Sequence, residues 1–552
     1  SEMCIRDRDY TYPFHNSHLG KSYRSGADPA VVEFRGEYYM FVTRSWGYWH
    51  SKDLLNWDFI TPEKWYFEGC NAPAAHNYKD SILYVCGNPS GAMSILYTDN
   101  PKRGDWKAVP SVLHDLQDPA LFIDDDERAY MYWGSSNRWP IRGKELDMKN
   151  KFLPIAKKPD SLLFLRPDIH GWERFGENHT SDIKPFIEGA WMTKHNGKYY
   201  LQYAAPGTQF NVYGDGVYVG KSPLGPFQYA AHNPFCYKPG GFATGAGHGS
   251  TVCGPGGIYW HFGTIHLSIN YKFERRLCMF PTFFDEDGVM YSDTYFGDYP
   301  HYSPDQVSRQ TTSGGFRGWM LLSYGKPVKA SSQLESYPVE NVTDENLKTF
   351  WVAGKNDDKQ WVEIDLEEVS DVYALQLNFF DYEETGFWGR MPNLRQRYLV
   401  EASVDGARWR VLVDYRNSFR DAPHNYIELD QPIEARYIRY RHHYVPGKNL
   451  AMGNIRVFGL GRGKKPATVK GFTVVREADE RNVRISWKAV KGAQGYNVLW
   501  GVAPDKLYSS WMVYGDNSLD LRALTVGQKY YFAIEAFNEN GISQRVFLRE
   551  AH

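Results

Sequence analysis

Residues 27–44 read ADPAVVEFRGEYYMFVTR: a polar opener, a β-rich run, a turn at Arg35-Gly36-Glu37 and a second β-rich run. Weaker copies are NAPAAHNYKDSILYVCG (71–87), QDPALFIDDDERAYMYWG (117–134), IEGAWMTKHNGKYYLQYAA (187–205) and HGSTVCGPGGIYWHFGT (248–264), about 45–70 residues apart. Several are followed by a third phrase, as in YWHSKDLLNW (48–57), ILYTDNPKRGDW (95–106) and VYVGKSPLGPF (217–227). Three or four short strands per repeat, with hardly any helical periodicity, are the mark of propeller blades. Five copies predict a five-bladed β-propeller over residues 9–321.

Beyond residue 321 the pattern changes but stays all-β. LLSYGKPVKASS opens a second unit, 322–461, and NIRVFGLG closes it; WVEIDL (361–366), ALQLNFF (374–380) and RYLVEASVDGARWRVLVD (397–414), with its Asp405-Gly406 turn, read as strands of one sandwich. GRGKKP (461–466) reads as a linker. Residues 467–552, with VRISWKAV, GYNVLWG and KYYFAIEAFNENG, suit a second, smaller sandwich.

Composition bounds what such a chain does. The 552 residues carry 63 Lys+Arg against 65 Asp+Glu, a net charge of −2, which selects for neither nucleic acid nor an anionic membrane. Hydrophobic residues at 42% supply several packed cores, and 18 Trp, 40 Tyr and 31 Phe supply planar surfaces for a ligand. Six cysteines in no CxxC or regular framework read as buried thiols. No apolar run is long enough to predict a membrane span. Residues 1–8, SEMCIRDR, resemble translated sequencing-adapter read-through and are set aside, with a native leader expected to be missing.

In a propeller the innermost strand of each blade lines the central channel, so the openers of the repeats converge at one mouth. Asp28, Asp118 and Glu188 open the first, third and fourth copies. A funnel with three carboxylates suits acid/base work on a neutral polar substrate, with one carboxyl protonated and another ionised. An Asp-Pro alone more often only satisfies backbone N–H groups at a turn; three acids in corresponding slots of a repeat outweigh that reading.

The three acidic blocks together resemble those of glycoside hydrolase family 43 in motif, order and spacing, over about residues 20–300. The resemblance implies Asp28 as the general base, Glu188 as the general acid and Asp118 as the residue that orients the acid and tunes its pKa. It also implies inversion by a single displacement, with base and acid carboxyls about 6.5–9.5 Å apart. The NDPNG nucleophile block of the related retaining, sucrose-processing propellers is absent from the sequence. Glu188-Gly189-Ala190 stands where the family commonly has Glu-Gly-Pro.

GAGHGSTV (245–252) resembles the last-blade segment, which makes His248 the carry-over for a histidine under the catalytic centre that helps hold Ca2+ or another cation through water. No cofactor is required by the reading, and a satisfied core histidine is the plainer alternative. In ERRLCMFPTFFDEDG (274–288), Arg275 aligns with an arginine that contacts the acid-tuning Asp and the sugar, with Arg276 as its rival. Trp46, Trp133 and Trp191 are candidates for the sugar-binding wall, as good as core packing for each, and Asn71 and His76 are candidates at the head of the second blade.

VTDENLKTFWVA, QWVEIDL, VEASVDGARWRVL and EARYIRYR resemble the discoidin, or coagulation-factor type C, sandwich, a class that includes carbohydrate-binding modules. Trp388 and Arg390 would offer it an exposed sugar platform, or equally a buried hinge. The last unit resembles fibronectin type III. The expected protein is an inverting, exo-acting glycosidase, α-L-arabinofuranosidase or β-xylosidase first. Its partner would be an arabinose- or xylose-containing glycan, and its location secreted, periplasmic or at the cell surface. The alternative is a non-catalytic, lectin-like adhesion protein.

Overall fold

In the computed structural model the described residues are 15–16, 21–22, 25–45, 47–63, 70–88, 92–114, 116–156, 158–267, 273–307, 315–383 and 394–549. Among them the secondary structure is strand, with helical segments limited to short 3-10 turns.

Each repeated phrase starts one antiparallel sheet. The first sheet runs in the order Ala30–Phe34, Glu37–Phe41, Tyr48–Ser51, Trp57–Ile60. Its first hairpin closes through Arg35 and Gly36, both at positive φ (55° and 77°), the two-residue turn whose twist matches that of the strands. The third strand ends where Asp53 Oδ1 accepts the Leu55 and Asn56 N–H groups at 2.9 and 2.7 Å, which starts the turn read in SKDLLNW.

The other sheets begin with Asn71–Tyr78, Ala120–Ile123, Glu188–His195 and Thr244–Cys253, and each continues through sequential antiparallel strands. First strands touch in chain order, and that of the last sheet touches that of the first, so the sheets close a ring. Packing seals the closure: Val31, Met40 and Trp57 share one apolar cluster with Trp260, Phe262 and Leu277. Ser250 Oγ stitches it, accepting from Val31 N at 2.9 Å and donating to Pro29 O at 2.7 Å. A closed ring of radially packed sheets is a β-propeller.

The second unit is one sheet system of eight strands folded into a sandwich around Trp351, Val362, Leu375, Tyr398 and Val457. WVEIDL and ALQLNFF, read as two strands, are one 19-residue strand, Trp361–Phe379. Register shifts between Asp365 and Ser370 and between Val372 and Ala374 bend it, so a single strand serves both halves of the sandwich. The last unit has two sheets, one of Lys470–Arg476, Val483–Lys488 and Ser518–Leu521, the other centred on Gly495–Gly501 and Tyr531–Asn538.

The three units are welded together. Gly171 N donates to Leu524 O at 2.8 Å and Val526 N to Ile169 O at 2.9 Å, while Tyr508 stacks on Tyr291 at 3.7 Å. Arg456, 1% exposed, is held by Glu345 at 2.6 and 3.0 Å, Gln376 Oε1 at 2.8 Å and Asp298 O at 2.7 Å, which ties sandwich to propeller. The expectation of uniformly buried thiols is corrected: Cys86, Cys236 and Cys278 are buried, but Cys253 is exposed because it ends its strand; Cys4 lies outside the described residues.

Candidate active site

The innermost strands share a local device. Asp28, Ala72, Asp118, Gly189 and His248 all have positive φ, between 43° and 65°. The residue before each is paired with the neighbouring strand: Thr43 N donates to Ala27 O at 3.0 Å and Gly134 N to Gln117 O at 2.8 Å, and Asn71, Glu188 and Gly247 sit opposite Asn88, Ala204 and Thr264. Where strand follows directly, as after Asn71, Glu188 and Gly247, the register slips, so these are bulges that re-aim one side chain at the mouth of each sheet. Four of the five residues in the left-handed region are not glycine, strain of the kind that clusters at working sites.

This register corrects one expectation. Asp28, Asp118 and His248 are equivalent, but Glu188 stands one residue earlier, in the slot of Ala27 and Gln117, and Gly189 fills the bulge. The reason is space: a Cβ on Gly189 would lie 2.8 Å from His248 Cγ.

The device gathers the groups. His248 Nδ1 lies 3.3 Å from Asp28 Oδ1 and 3.9 Å from Asp118 Oδ2. Asp28 Oδ2 accepts from Thr43 Oγ1 at 2.5 Å, and its backbone N donates to Thr264 Oγ1 at 3.0 Å. Glu188 accepts from Tyr213 OH at 2.5 Å on one oxygen and from Ser135 Oγ at 3.0 Å on the other. Asp215, 1% exposed, accepts the His248 and Gly249 N–H groups at 2.8 and 3.0 Å and fixes the fifth bulge.

Environment separates the carboxyls. Burial pushes both aspartates up. At Asp28 the His248 and Arg275 charges and the Thr43 hydroxyl outweigh it and hold the carboxyl below the usual range. At Asp118 burial prevails over His248, the Glu188 and Asp28 charges add to it, and the carboxyl is pushed up to about 7. Burial alone would lower His248; Asp28, Asp118, Glu188 and Asp215 more than offset that and raise it.

Arg275 Nη1 is 3.5 Å from Asp28 Oδ1 and donates to Thr208 Oγ1 at 3.5 Å, so its ion pair is with Asp28 rather than with Asp118, as expected from the resemblance. Arg276 points to the opposite face of the strand, where its Nε meets His424 Nε2 of the sandwich at 3.2 Å. Trp133 is buried in the propeller core, and Trp191 is half-buried between two apolar clusters. His76 is not at the mouth: its Nε2 accepts from Ile123 N at 3.2 Å, at the far end of the strand that Asp118 opens, and burial pushes it down to about 4. Asn71 holds the slot that corresponds to Glu188 and is half-buried. Trp46, Trp388 and Arg390 lie outside the described residues.

Thr43, Ser135, Tyr213, Thr264 and Asp215 were not anticipated. Thr43 and Thr264 each sit across from the residue before a bulge, a position the repeat defines once its register is known. Among the described residues no group of three or more His, Cys, Asp or Glu is placed to hold a metal ion, and His248 turns Nδ1 to two carboxylates. The donor set does not fit direct metal ligation. A cleft of about 690 Å3 opens between the three units beside Asn211, Lys348 and Asp520, and none of these acid/base groups lines it.

The described fold is a propeller closed by packing, with acids at the heads of its innermost strands, followed by a sandwich. Residues 23–290 match the description Glycosyl hydrolases family 43, and residues 327–452 match the F5/8 type C domain. Over 133 residues the chain is 33% identical to a β-xylosidase of Xylanibacter ruminicola, covering 20% of this chain and 39% of the relative. Over 189 residues it is 30% identical to an arabinoxylan arabinofuranohydrolase of Bacillus subtilis (strain 168), covering 30% and 34%. A solved glycoside hydrolase aligns with 81% of this chain and 99% of its own at 19% identity and a TM-score of 0.44. The chain thus spans about two fifths or less of the length of these curated relatives. Among the described residues no helix is long and apolar enough to cross a membrane.

Proposed function

We propose that the chain is an inverting, exo-acting glycoside hydrolase of arabinose- or xylose-containing glycans, α-L-arabinofuranosidase or β-xylosidase first. The five sheets are the blades of a five-bladed propeller over 9–321, residues 322–461 are a discoidin-like sandwich, and 467–552 a fibronectin type III-like clamp. Asp28 is the general base, Glu188 the general acid and Asp118 the positioning residue between them.

The observation that carries this reading is the gathering of acids at the heads of the innermost strands: His248 faces Asp28 at 3.3 Å and Asp118 at 3.9 Å, and Ser135 and Tyr213 hold the Glu188 carboxyl. Water attacks the anomeric carbon as Asp28 takes its proton; the glycosidic C–O bond breaks as Glu188 gives its proton to the leaving oxygen. Arg275 and His248 keep Asp28 charged before attack, and Ser135 and Tyr213 fix the Glu188 carboxyl so that it enters each turnover oriented. A glycan polymer as substrate argues for action outside the cytoplasm.

The test is a panel of 4-nitrophenyl α-L-arabinofuranoside and β-D-xyloside, with proton NMR of the first-formed anomer. Expected is release of one sugar with inverted configuration. No hydrolysis with retained glycan binding would favour a lectin-like protein instead, and a retained anomer would exclude single displacement.

A further inference from the structure

Two loops beside Glu188 expose aromatic surface that folding does not use. Trp139 is 63% and Phe164 54% exposed, and Ile183 and Phe186 are exposed on the segment that leads into Glu188. Trp139 and Phe164 line one shallow cavity of about 100 Å3 with Asn137, Arg138, Lys184 and Pro185. Scattered exposed apolar residues need no explanation; a set concentrated at one cavity does.

This cavity is continuous with the candidate site. Ser136 and Ile187 exchange N–H···O bonds of 3.0 Å in both directions, and their neighbours Ser135 and Glu188 are joined at 3.0 Å. Ser136 Oγ accepts the Arg138 and Trp139 N–H groups at 3.0 and 3.1 Å, which fixes the turn that presents the indole. The Arg142 guanidinium lies over the indole at 5.3 Å from the ring centre, a cation–π contact that favours this position of the ring.

We propose that Trp139 and Phe164 form a shelf for the glycan chain on the leaving-group side of the scissile bond. The inference rests on the reading of Glu188 as the acid. An acid protonates the leaving oxygen, so the sugar attached to that oxygen lies on the acid's side of the site, where the shelf begins. Sugar C–H faces pack on aromatic rings, and Asn137, Arg138 and Lys184 supply N–H donors for the hydroxyls at the rim. The occupant is a neutral chain of at least two sugars.

Trp139→Ala, Trp139→Phe and Phe164→Ala are compared with wild type on arabinoxylo-oligosaccharides and on the 4-nitrophenyl glycoside of the same released sugar, after melting curves establish folding. Expected is a fall of about 10-fold or more in the ratio of the two kcat/KM values for Trp139→Ala, with Trp139→Phe recovering most of it. An unchanged ratio overturns the shelf. An inactive wild type would count against the glycosidase reading instead; calorimetric titration of the same oligosaccharides then decides the shelf, equal affinity or none in wild type and Trp139→Ala overturning it. A wild-type dimer that Trp139→Ala dissociates in sedimentation would assign the surface to a second copy and also overturn it.

Discussion

Asp28 and Asp118 have the same residue type, slot and backbone conformation, yet their carboxyls are shifted in opposite directions because different partners face them. Arg275 and Thr43 reach Asp28, whereas at Asp118 burial and the charges of its fellow acids outweigh what His248 and the Ser135 hydroxyl offer. The folded chain therefore binds a proton at Asp118 more tightly than the unfolded chain, whose carboxyl titrates near 3.8. That contribution is full below about pH 4 and is lost as pH rises through about 7, roughly 4 kcal/mol at most. Asp118→Asn, which mimics the neutral form, is expected to melt progressively higher relative to wild type between pH 4.5 and pH 8; a difference independent of pH would contradict the assignment. The three acids were legible because they head copies of one phrase. Ser135 and Tyr213 were not, since what brings them to Glu188 is cross-strand register and a loop path, which leave no motif.

At the scale of the element, the repeat predicts strands and hairpin turns well because Arg35-Gly36 and the alternation around it are local signals. Bulges are not local. Whether Glu188 or Gly189 fills the re-aimed slot depends on what the neighbouring sheet presents, here His248. Gly189→Ala puts a Cβ against that ring at a φ of +65°, and is expected to cost about 1–3 kcal/mol and to lower kcat by displacing His248; thermal melting with kinetics checks both. The 19-residue strand Trp361–Phe379 was read as two for the same reason: a bend that keeps hydrogen bonding looks in sequence like a break.

For the whole molecule, three units share buried side chains, so the sandwich and the last unit form one framework with the propeller rather than loose appendages. Arg276 carries this into the site: its neighbour Arg275 faces Asp28 while it faces His424 of the sandwich. Arg456→Ala leaves Glu345 buried without its partner, expected to cost about 3–5 kcal/mol. Calorimetry would show the shared transition shift or split; an unchanged melting profile would mean the junction carries no stability. How the units would sit together was not legible, because a junction residue such as Arg456 looks in sequence like any other strand residue. The proposed chemistry is tested most directly by leaving-group dependence in Glu188→Gln and Asp28→Asn. A 2,4-dinitrophenyl glycoside needs little protonation, so Glu188→Gln should stay near wild type on it and lose about 100- to 10,000-fold on an unactivated oligosaccharide, whereas Asp28→Asn should lose rate on both. Full activity of either variant on the oligosaccharide, or the opposite pattern, would contradict the account.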